Sequence, residues 1–392
     1  MTALRIIFMG TAELSCASLE ALARDEQWHV AAVVTQPDRP KGRELKPQPS
    51  PVKALALRLG LPVLQPARVR DEKFAAELRA LRPDLIIVAA YGQILPQSIL
   101  DLPRHGCLNV HASLLPKYRG AAPIQWALLS GETETGVTIM KVAAGLDTGD
   151  IVAQRRTPIE PGDDSATLHD RLARLGAELL VQTIPDYAAG KVQPRPQPAT
   201  GVSQAPKIKK EDGRIVWSRS AREIWNRLRA FTPWPGAFTF LPKAMEGTAS
   251  SVPSSAKSQP KAMEGTASSV PSFAKSQGSD EALPSKMIKI WKAEIVEESG
   301  GGGGSSILRP AMRDYKDGPS RPLGGGTSAG RLGEATPLGK PGEILQADRN
   351  GIVVACGQNA LRILELQREG GRRLTAQEFL AGYPLKSGGK FE

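Results

Sequence analysis

Asn109, His111 and Asp147 put an amide, an imidazole and a carboxylate where one site could use all three. The first two lie in the run Leu108-Asn109-Val110-His111-Ala112-Ser113-Leu114-Leu115-Pro116, and Asp147 follows 36 residues after His111 in Gly-Leu-Asp-Thr-Gly. Cys107 to Val110 is a short apolar run behind Gly106 and reads as a buried strand. Side chains alternate along a strand, so Asn109 and His111 project from one face while Leu108 and Val110 point into packing. Pro116 forces the chain out of the sheet soon after. Two polar side chains at the carboxyl end of a strand occupy the usual ligand position of an open α/β sheet.

The elements that must hold them are legible as alternation. Leu4–Met9, Val30–Thr35, Leu85–Ala90, Cys107–His111 and Val137–Val142 are strand-like, with helical patterns between them. Ser50-Pro51 opens one such helix as an N-cap followed by proline, and Gly60 closes it. Others fall near 71–82, 122–130 and 165–189. This order predicts an α/β fold, a Rossmann-like N-terminal domain over 1–189 with a mostly parallel sheet. Gly10-Thr11-Ala12 after the first strand lacks the GxGxxG spacing, which excludes a dinucleotide site, and nothing resembles a P-loop or a metal cluster. Residues 190–206, rich in proline, read as an extended, stiff linker. A second domain is expected over 207–385. Ser220-Ala-Arg-Glu223 is a capping-box pattern before a helix carrying Ile224, Leu228 and Phe231 on one face, and Thr375-Ala-Gln-Glu378 opens a last helix. Short strands at Ala237–Leu241, Met287–Trp291, Gly351–Ala355 and Leu361–Leu366 point to a small OB-like β-barrel. Two insertions interrupt it, at about 242–285 and 299–340. In the first, residues 242–259 recur as 260–277 with only Ser255 and Phe273 differing, and its composition predicts a disordered duplication.

A chain of 392 residues has room for two domains, and no stretch approaches the roughly 20 apolar residues of a membrane span. Met1–Gly10 reads as a first strand and not as an export signal. Cys16, Cys107 and Cys356 are far apart and odd in number, which argues against a disulfide framework or a zinc site and for a reducing, cytoplasmic location. Of the net charge of +11, residues 207–392 hold +9 and residues 1–206 only +2. A basic C-terminal half suits a polyanion, nucleic acid first, or simply a solubilising surface.

The motifs resemble one family. Phe-Met-Gly-Thr at 8–11, TQPDRPKGR at 35–43, PSPVK at 49–53, AAYGQILP at 89–96, NVHASLLPKYRGAAPIQWAL at 109–128, ETGVTIM at 134–140, GLDTGD at 145–150 and AFTPWPGAF at 230–238 are similar to the folate-dependent formyltransferases, and among these to the branch acting on methionyl-tRNA. Ala12 and Leu14 depart from that pattern, where proline and phenylalanine are usual. The resemblance implies transfer of a formyl group from 10-formyltetrahydrofolate, as co-substrate and without a metal, to the amino group of methionyl initiator tRNA. It implies that Asn109 and His111 stabilise the oxyanion, with Asp147 orienting His111. It also implies folate contacts at Ala89, Tyr91, Gly92, Gln93, Ile94, Leu95, Ser113, Leu114, Leu115, Pro116, Gly145 and Leu146. Arg39, Lys41, Arg43 and Lys46 in the 36–49 loop, with Lys207, Lys209 and Lys210, are the implied tRNA contacts, Arg43 matching the arginine credited with reading the initiator's first base pair. A monomer is expected. The rivals are a formyltransferase for a sugar or other small-molecule amine, a formyltetrahydrofolate hydrolase, and a non-catalytic RNA-binding protein on the same scaffold.

Overall fold

The computed structural model describes residues 3–41, 46–241, 286–298, 308–310 and 338–392. The tandem repeat, most of the 299–340 insertion and Arg43 therefore lie outside the described residues. Two compact units emerge, one of residues 1–215 with 222–237 and the other of 216–221 with 238–392.

In the first unit the strands are β1 (Leu4–Gly10), β2 (Trp28–Val34), β3 (Arg39–Lys41), β4 (Lys46–Gln48), β5 (Val63–Leu64), β6 (Leu85–Ala89), β7 (Cys107–His111), β8 (Glu134–Lys141) and β9 (Ile151–Pro158). Its helices are α1 (Cys16–Arg24), α2 (Pro51–Arg58), α3 (Glu72–Ala80), α4 (Gln97–Leu100), α5 (Pro123–Leu129), α6 (Ser165–Ala188) and α7 (Ala221–Ala230). Seven strands form one sheet in the order β5-β2-β1-β6-β7-β8-β9, while β3 and β4 form a separate hairpin. The pairs from β5 to β7 are parallel, and β8 and β9 are antiparallel additions. Strand order therefore reverses between β1 and β6, and their carboxyl ends flank the crevice where an open α/β sheet binds ligands.

Alternation explains why the sheet is covered on both faces. Ile6 and Phe8 of β1, Ile87 and Ala89 of β6, and Leu108 and Val110 of β7 pack in one apolar layer. Ile7, Met9, Ile86, Val88 and Cys107 pack in the other, against Phe74, Ala75 and Leu78 of α3. Burying Leu108 and Val110 contributes about 1.5–3 kcal/mol each. A slip of β7 by one residue would forfeit this and turn Asn109 and His111 into the core. The helix starts follow the sequence: Ser50 accepts from the Lys53 amide at 3.0 Å, and Asp164 caps α6 with a reciprocal bond from Thr167. The final helix, α8 (Ala376–Gly382), begins with the expected Thr375–Glu378 capping box.

Residues 190–206 are extended but built in, because Arg195 pairs with Ile151 and Gln204 with Arg119, and Ala205 is fully buried. Packing also places 207–215 and the helical stretch 222–230 with the first unit, since Ile208 and Phe231 join its core. Proline content reports stiffness, but it carries no information on what a stiff segment lies against.

The second unit contains β10 (Ala237–Leu241), β11 (Lys286–Glu298), β12 (Leu308–Pro310), β13 (Ile344–Asp348), β14 (Gly351–Ala355), β15 (Ala360–Arg368) and β16 (Arg373–Thr375). Their path is β10-β11-β15-β14-β13, with β12 on β11 and β16 on β15. The unit is thus β-rich, and its pairs from β11 to β16 are antiparallel. Its C-terminal segment hydrogen-bonds to both ends of that path: Gly388 and Phe391 donate to Ile344 and Gly342, and Glu392 exchanges bonds with Phe240. Phe391 is buried and stacks on Trp217, whose indole donates to Thr239 at 2.9 Å.

All three cysteines are free thiols. Burial pushes Cys107 and Cys356 up to about 12 and Cys16 up to about 11. Since the thiolate is the nucleophile, alkylation of the folded protein at pH 8 should run about 10²–10³-fold slower than after denaturation, read by mass spectrometry. Fast native labelling of Cys107 would contradict its buried placement. Among the described residues no helix is long and apolar enough to cross a membrane, and no cluster of His, Cys, Asp and Glu could hold a metal.

Candidate active site

At the carboxyl end of β7 the chain brings Asn109, His111 and Asp147 together. His111 Nδ1 lies 3.6 Å from Asp147 Oδ2, and Asn109 Nδ2 lies 3.5 Å from Asp147 Oδ1. Both separations exceed a settled hydrogen bond, so Asn109 Nδ2 and His111 Nδ1 are not committed to Asp147 and stay available to a third group. The Asp147 carboxylate is itself fixed, because the Gly120 amide donates to Oδ2 at 2.8 Å. His111 is 6% exposed and Asp147 12%, so their interaction is only weakly screened.

The imidazole has one defined orientation. Nε2 lies 2.9 Å from the Tyr118 carbonyl, which can only accept, so Nε2 carries a proton. Nδ1 is then the ring nitrogen that faces the carboxylate. Tyr118 holds a left-handed backbone (φ 62°), and its amide is tied to Ser203 Oγ at 2.9 Å. Below the ring, Thr138 opposes His111 across the β7–β8 pair. Its hydroxyl donates to the Ser113 carbonyl and accepts from the Leu115 amide and from Gln154, which fixes the turn leaving β7. Asp147 also has a positive φ of 51°, a conformation that aspartate adopts more readily than most residues. Its loop closes tightly, since a Cβ at Gly149 would collide with the Lys141 carbonyl.

A second polar network joins the ends of β1, β2 and β6. Thr11 Oγ1 and Gln36 Nε2 donate to the Tyr91 carbonyl at 2.9 and 2.8 Å, and Arg39 donates to Gln36 Oε1 at 2.6 Å. Gln65 donates to Asp38, and Lys53 pairs with Asp38 at 2.7 Å. The Lys53 and Gln65 hydrogen bonds hold the Asp38 carboxylate below its usual range. These contacts root the 36–48 segment, whose β3–β4 register places Lys41 opposite Lys46.

The expected folate residues divide into two groups. Ile94 is 75% exposed and Leu146 61%, and Gly92 and Gly145 are exposed beside them. Gln93 is half-buried and accepts from the Val69 amide. Leu114 and Pro116 are half-buried, while Ala89, Tyr91, Leu95, Ser113 and Leu115 are buried. The Tyr91 ring packs among Ile7, Met9 and Ile86, and burial pushes its hydroxyl up to about 12. Ser113 donates to the Lys117 carbonyl at 2.6 Å, and Leu115 packs on Met140 and Ile151. The Ser113 and Leu115 side chains thus take part in turn geometry and packing, and the Tyr91 ring in packing, while the Tyr91 hydroxyl is buried without a hydrogen-bond partner. Of the expected tRNA contacts, Arg39, Lys46, Lys207, Lys209 and Lys210 are exposed, and Lys41 lies in the hairpin. Sequence reasoning missed Tyr118, Gly120, Arg119 and Gln197. The first three sit in the quoted 109–128 run, which was the available signal; Gln197 had none.

A family profile described as formyl transferase matches residues 4–184, and one described as formyl transferase, C-terminal domain, matches 207–272 and 281–384. A protein of Geobacter sulfurreducens named methionyl-tRNA formyltransferase is 42% identical over 99% of this chain and 96% of its own. One of the same name from Citrifermentans bemidjiense is also 42% identical, with the same coverage. The solved structure of HypX from Aquifex aeolicus in complex with tetrahydrofolic acid shares the fold at a TM-score of 0.51 and 16% identity. That match covers 97% of this chain but 48% of HypX, so the chain spans about half of it.

Proposed function

The chain belongs to the formyl transferase family, and from that premise we propose that it moves the formyl group of 10-formyltetrahydrofolate to the α-amino group of methionyl initiator tRNA, for translation initiation. The observation that carries the reading is the end-to-end 42% identity to relatives of that name, in a chain that keeps Asn109, His111 and Asp147 gathered at one strand end. We place this activity in the cytoplasm, on a monomer.

When bound, the folate supplies an activated formyl carbon on N10. The chain's own residues supply the rest. An unperturbed α-amino group titrates near 7.7–8.0 (roughly), and its ester lowers it further, so the nucleophile needs no strong base. Attack places negative charge on the formyl oxygen, which Asn109 Nδ2 is suited to receive as a donor. His111, with Nε2 occupied by the Tyr118 carbonyl, works through Nδ1. In its neutral form Nδ1 accepts the amine's proton, and the resulting N–H donates to the oxyanion or passes the proton to the departing nitrogen. Asp147 favours the charged imidazole at that moment. Exposed Ile94 and Leu146, with Gly92 and Gly145 beside them, suit the flat apolar face of a folate at the crevice beside β6 and β7. The buried donor-acceptor set and the exposed apolar pair together fit that co-substrate.

Arg39, Lys41 and Lys46 of the hairpin, Arg43 in the sequence between its strands, and Lys207, Lys209 and Lys210 are proposed to meet the acceptor stem through phosphates. The second unit is proposed as an OB-like barrel holding the tRNA body; the bonds from Gly388–Glu392 to both ends of its strand path support closure. The test is formyl transfer to methionine-charged initiator tRNA beside methionine-charged elongator tRNA, with initiator preference expected. Transfer to neither, with folate still bound, would sink the reading. Arg43→Ala should reduce the initiator-over-elongator ratio by about tenfold or more while leaving the KM for folate within about twofold. Equal loss on both tRNAs would remove Arg43 from that role.

A further inference from the structure

We propose that Gln197 is a positioning residue for the catalytic pair, fastening the Asp147 loop to the loop that orients His111. A primary amide offers two N–H donors and an oxygen with two lone pairs. Gln197 uses all four. Nε2 donates to the Asp147 carbonyl and to the Gly149 carbonyl, both at 2.8 Å. Oε1 accepts from Arg119 Nε at 3.0 Å and from Arg119 Nη2 at 2.7 Å. One side chain therefore spans two loops: residues 145–150, which carry the carboxylate in a left-handed backbone, and residues 116–122, which carry Tyr118 and Gly120.

The segment bearing Gln197 is a strap over those same loops. The Arg119 amide donates to the Ser203 carbonyl at 2.9 Å, the Ala205 amide to the Arg119 carbonyl at 2.7 Å, and the Ala122 amide to the Ala205 carbonyl at 3.1 Å. Ser203 Oγ holds the Tyr118 amide, whose residue supplies the acceptor for His111 Nε2. A Cβ at Gly120 would meet the Ala205 carbonyl at 2.7 Å, so the strap lies against the residue whose amide holds Asp147 Oδ2. Both partners of the His111–Asp147 pair are thus located by residues 197–205, and Gln197 is the side chain in that strap that bonds to both loops.

No other residue fills this role. Glutamate keeps the size and the Arg119 pairing but aims oxygen at two carbonyl oxygens. Asparagine is one methylene too short. A misplacement of the carboxylate by about 1 Å costs on the order of 10²-fold in rate.

The proposal rests on the formyl-transfer reading, so the test separates the two. Gln197→Glu and Gln197→Ala are compared with the unaltered protein for kcat, KM for each substrate, thermal unfolding and the ring resonances of His111, assigned by their absence from His111→Ala. Both variants should lose about 10–100-fold in kcat with each KM within about twofold, and the His111 resonances should move. Gln197→Glu with wild-type kcat, a loss confined to KM, or unmoved His111 resonances would overturn the proposal. If either variant fails to fold, Arg119→Lys, which removes the fork held by Oε1 and keeps both Nε2 donors, decides by the same readouts, with a kcat fall of about threefold to tenfold expected. Failure of the unaltered protein to formylate methionyl-tRNA would refute the functional reading instead, and the resonances, which need no substrate, would still decide Gln197.

Discussion

His111→Ala lowers kcat for formyl transfer by about 10²–10⁴-fold while folate affinity stays within about threefold. The separation follows from where the ring sits. It is buried and committed through Nε2 to the Tyr118 carbonyl, so it offers little surface to the co-substrate proposed to rest on Ile94 and Leu146. Its contribution falls on the step in which a proton moves and an oxyanion forms, when Nδ1 beside Asp147 becomes a donor. The substitution also leaves the Tyr118 carbonyl without its donor, a cost of about 1–3 kcal/mol if it stays dry. Thermal unfolding must therefore accompany the kinetics. His111→Gln separates the two effects, since its amide can serve the carbonyl but cannot carry a proton. It should regain stability and not rate. Single-turnover transfer to methionyl initiator tRNA, with folate binding measured by titration, checks all of this. Activity within tenfold of the unaltered enzyme would remove His111 from the chemistry.

The parts of this site that sequence made legible are those that leave a mark in side-chain type. The Leu108 and Val110 alternation set the face of β7, and the same alternation on both sides of the sheet gave a mostly parallel α/β unit. Caps at Ser50, Asp164 and Thr375 are short-range chemistry, and the first and last of them were readable directly. The parts that were not legible are bonds made by backbone. The Tyr118 carbonyl, the Gly120 amide and the carbonyls of Asp147 and Gly149 have no residue-type signature. Gln197 acts across 50 residues of sequence, inside a stretch whose proline content suggested a spacer.

The setting of the Tyr91 ring was likewise not legible. The chain passes through a left-handed residue at Ala90 (φ 42°), and the ring lies in the apolar layer with Ile7, Met9 and Ile86. Tyrosine is as much a packing residue as a polar one, and only the turn decides between them. The sheet edge was similarly hidden. β9 is exposed at alternate positions and polar in sequence, with Gln154, Arg155 and Arg156 in its middle, so no apolar run announced it. Yet Gln154 reaches the Leu115 carbonyl and helps fix the turn beneath the site.

Asp147→Asn provides the sharper test of how the three groups cooperate, because it leaves the backbone undisturbed. Asparagine accepts a positive φ as readily as aspartate, so the 51° conformation survives, whereas alanine would add strain there. The carboxylate presently faces three neighbours, each of which is a donor: the Gly120 amide at 2.8 Å, Asn109 Nδ2 at 3.5 Å and, when charged, His111 Nδ1 at 3.6 Å. An amide has one acceptor oxygen. The short bond from Gly120 claims it, which turns the new NH₂ toward Asn109. Two NH₂ groups cannot pair, so Asn109 rotates and presents its oxygen where its donor belongs. One substitution thus removes the charge that favours the imidazolium and reverses the polarity of the oxyanion donor. Loss of kcat should reach about 10²–10⁴-fold, with the melting temperature within about 2–4 °C of the unaltered protein. Asn109→Ala in the Asp147→Asn background should then cost far less than Asn109→Ala alone, because the donor it removes has already been turned away. Additive losses in that cycle would mean that Asn109 and Asp147 act independently, and the shared geometry at the end of β7 would have no catalytic meaning.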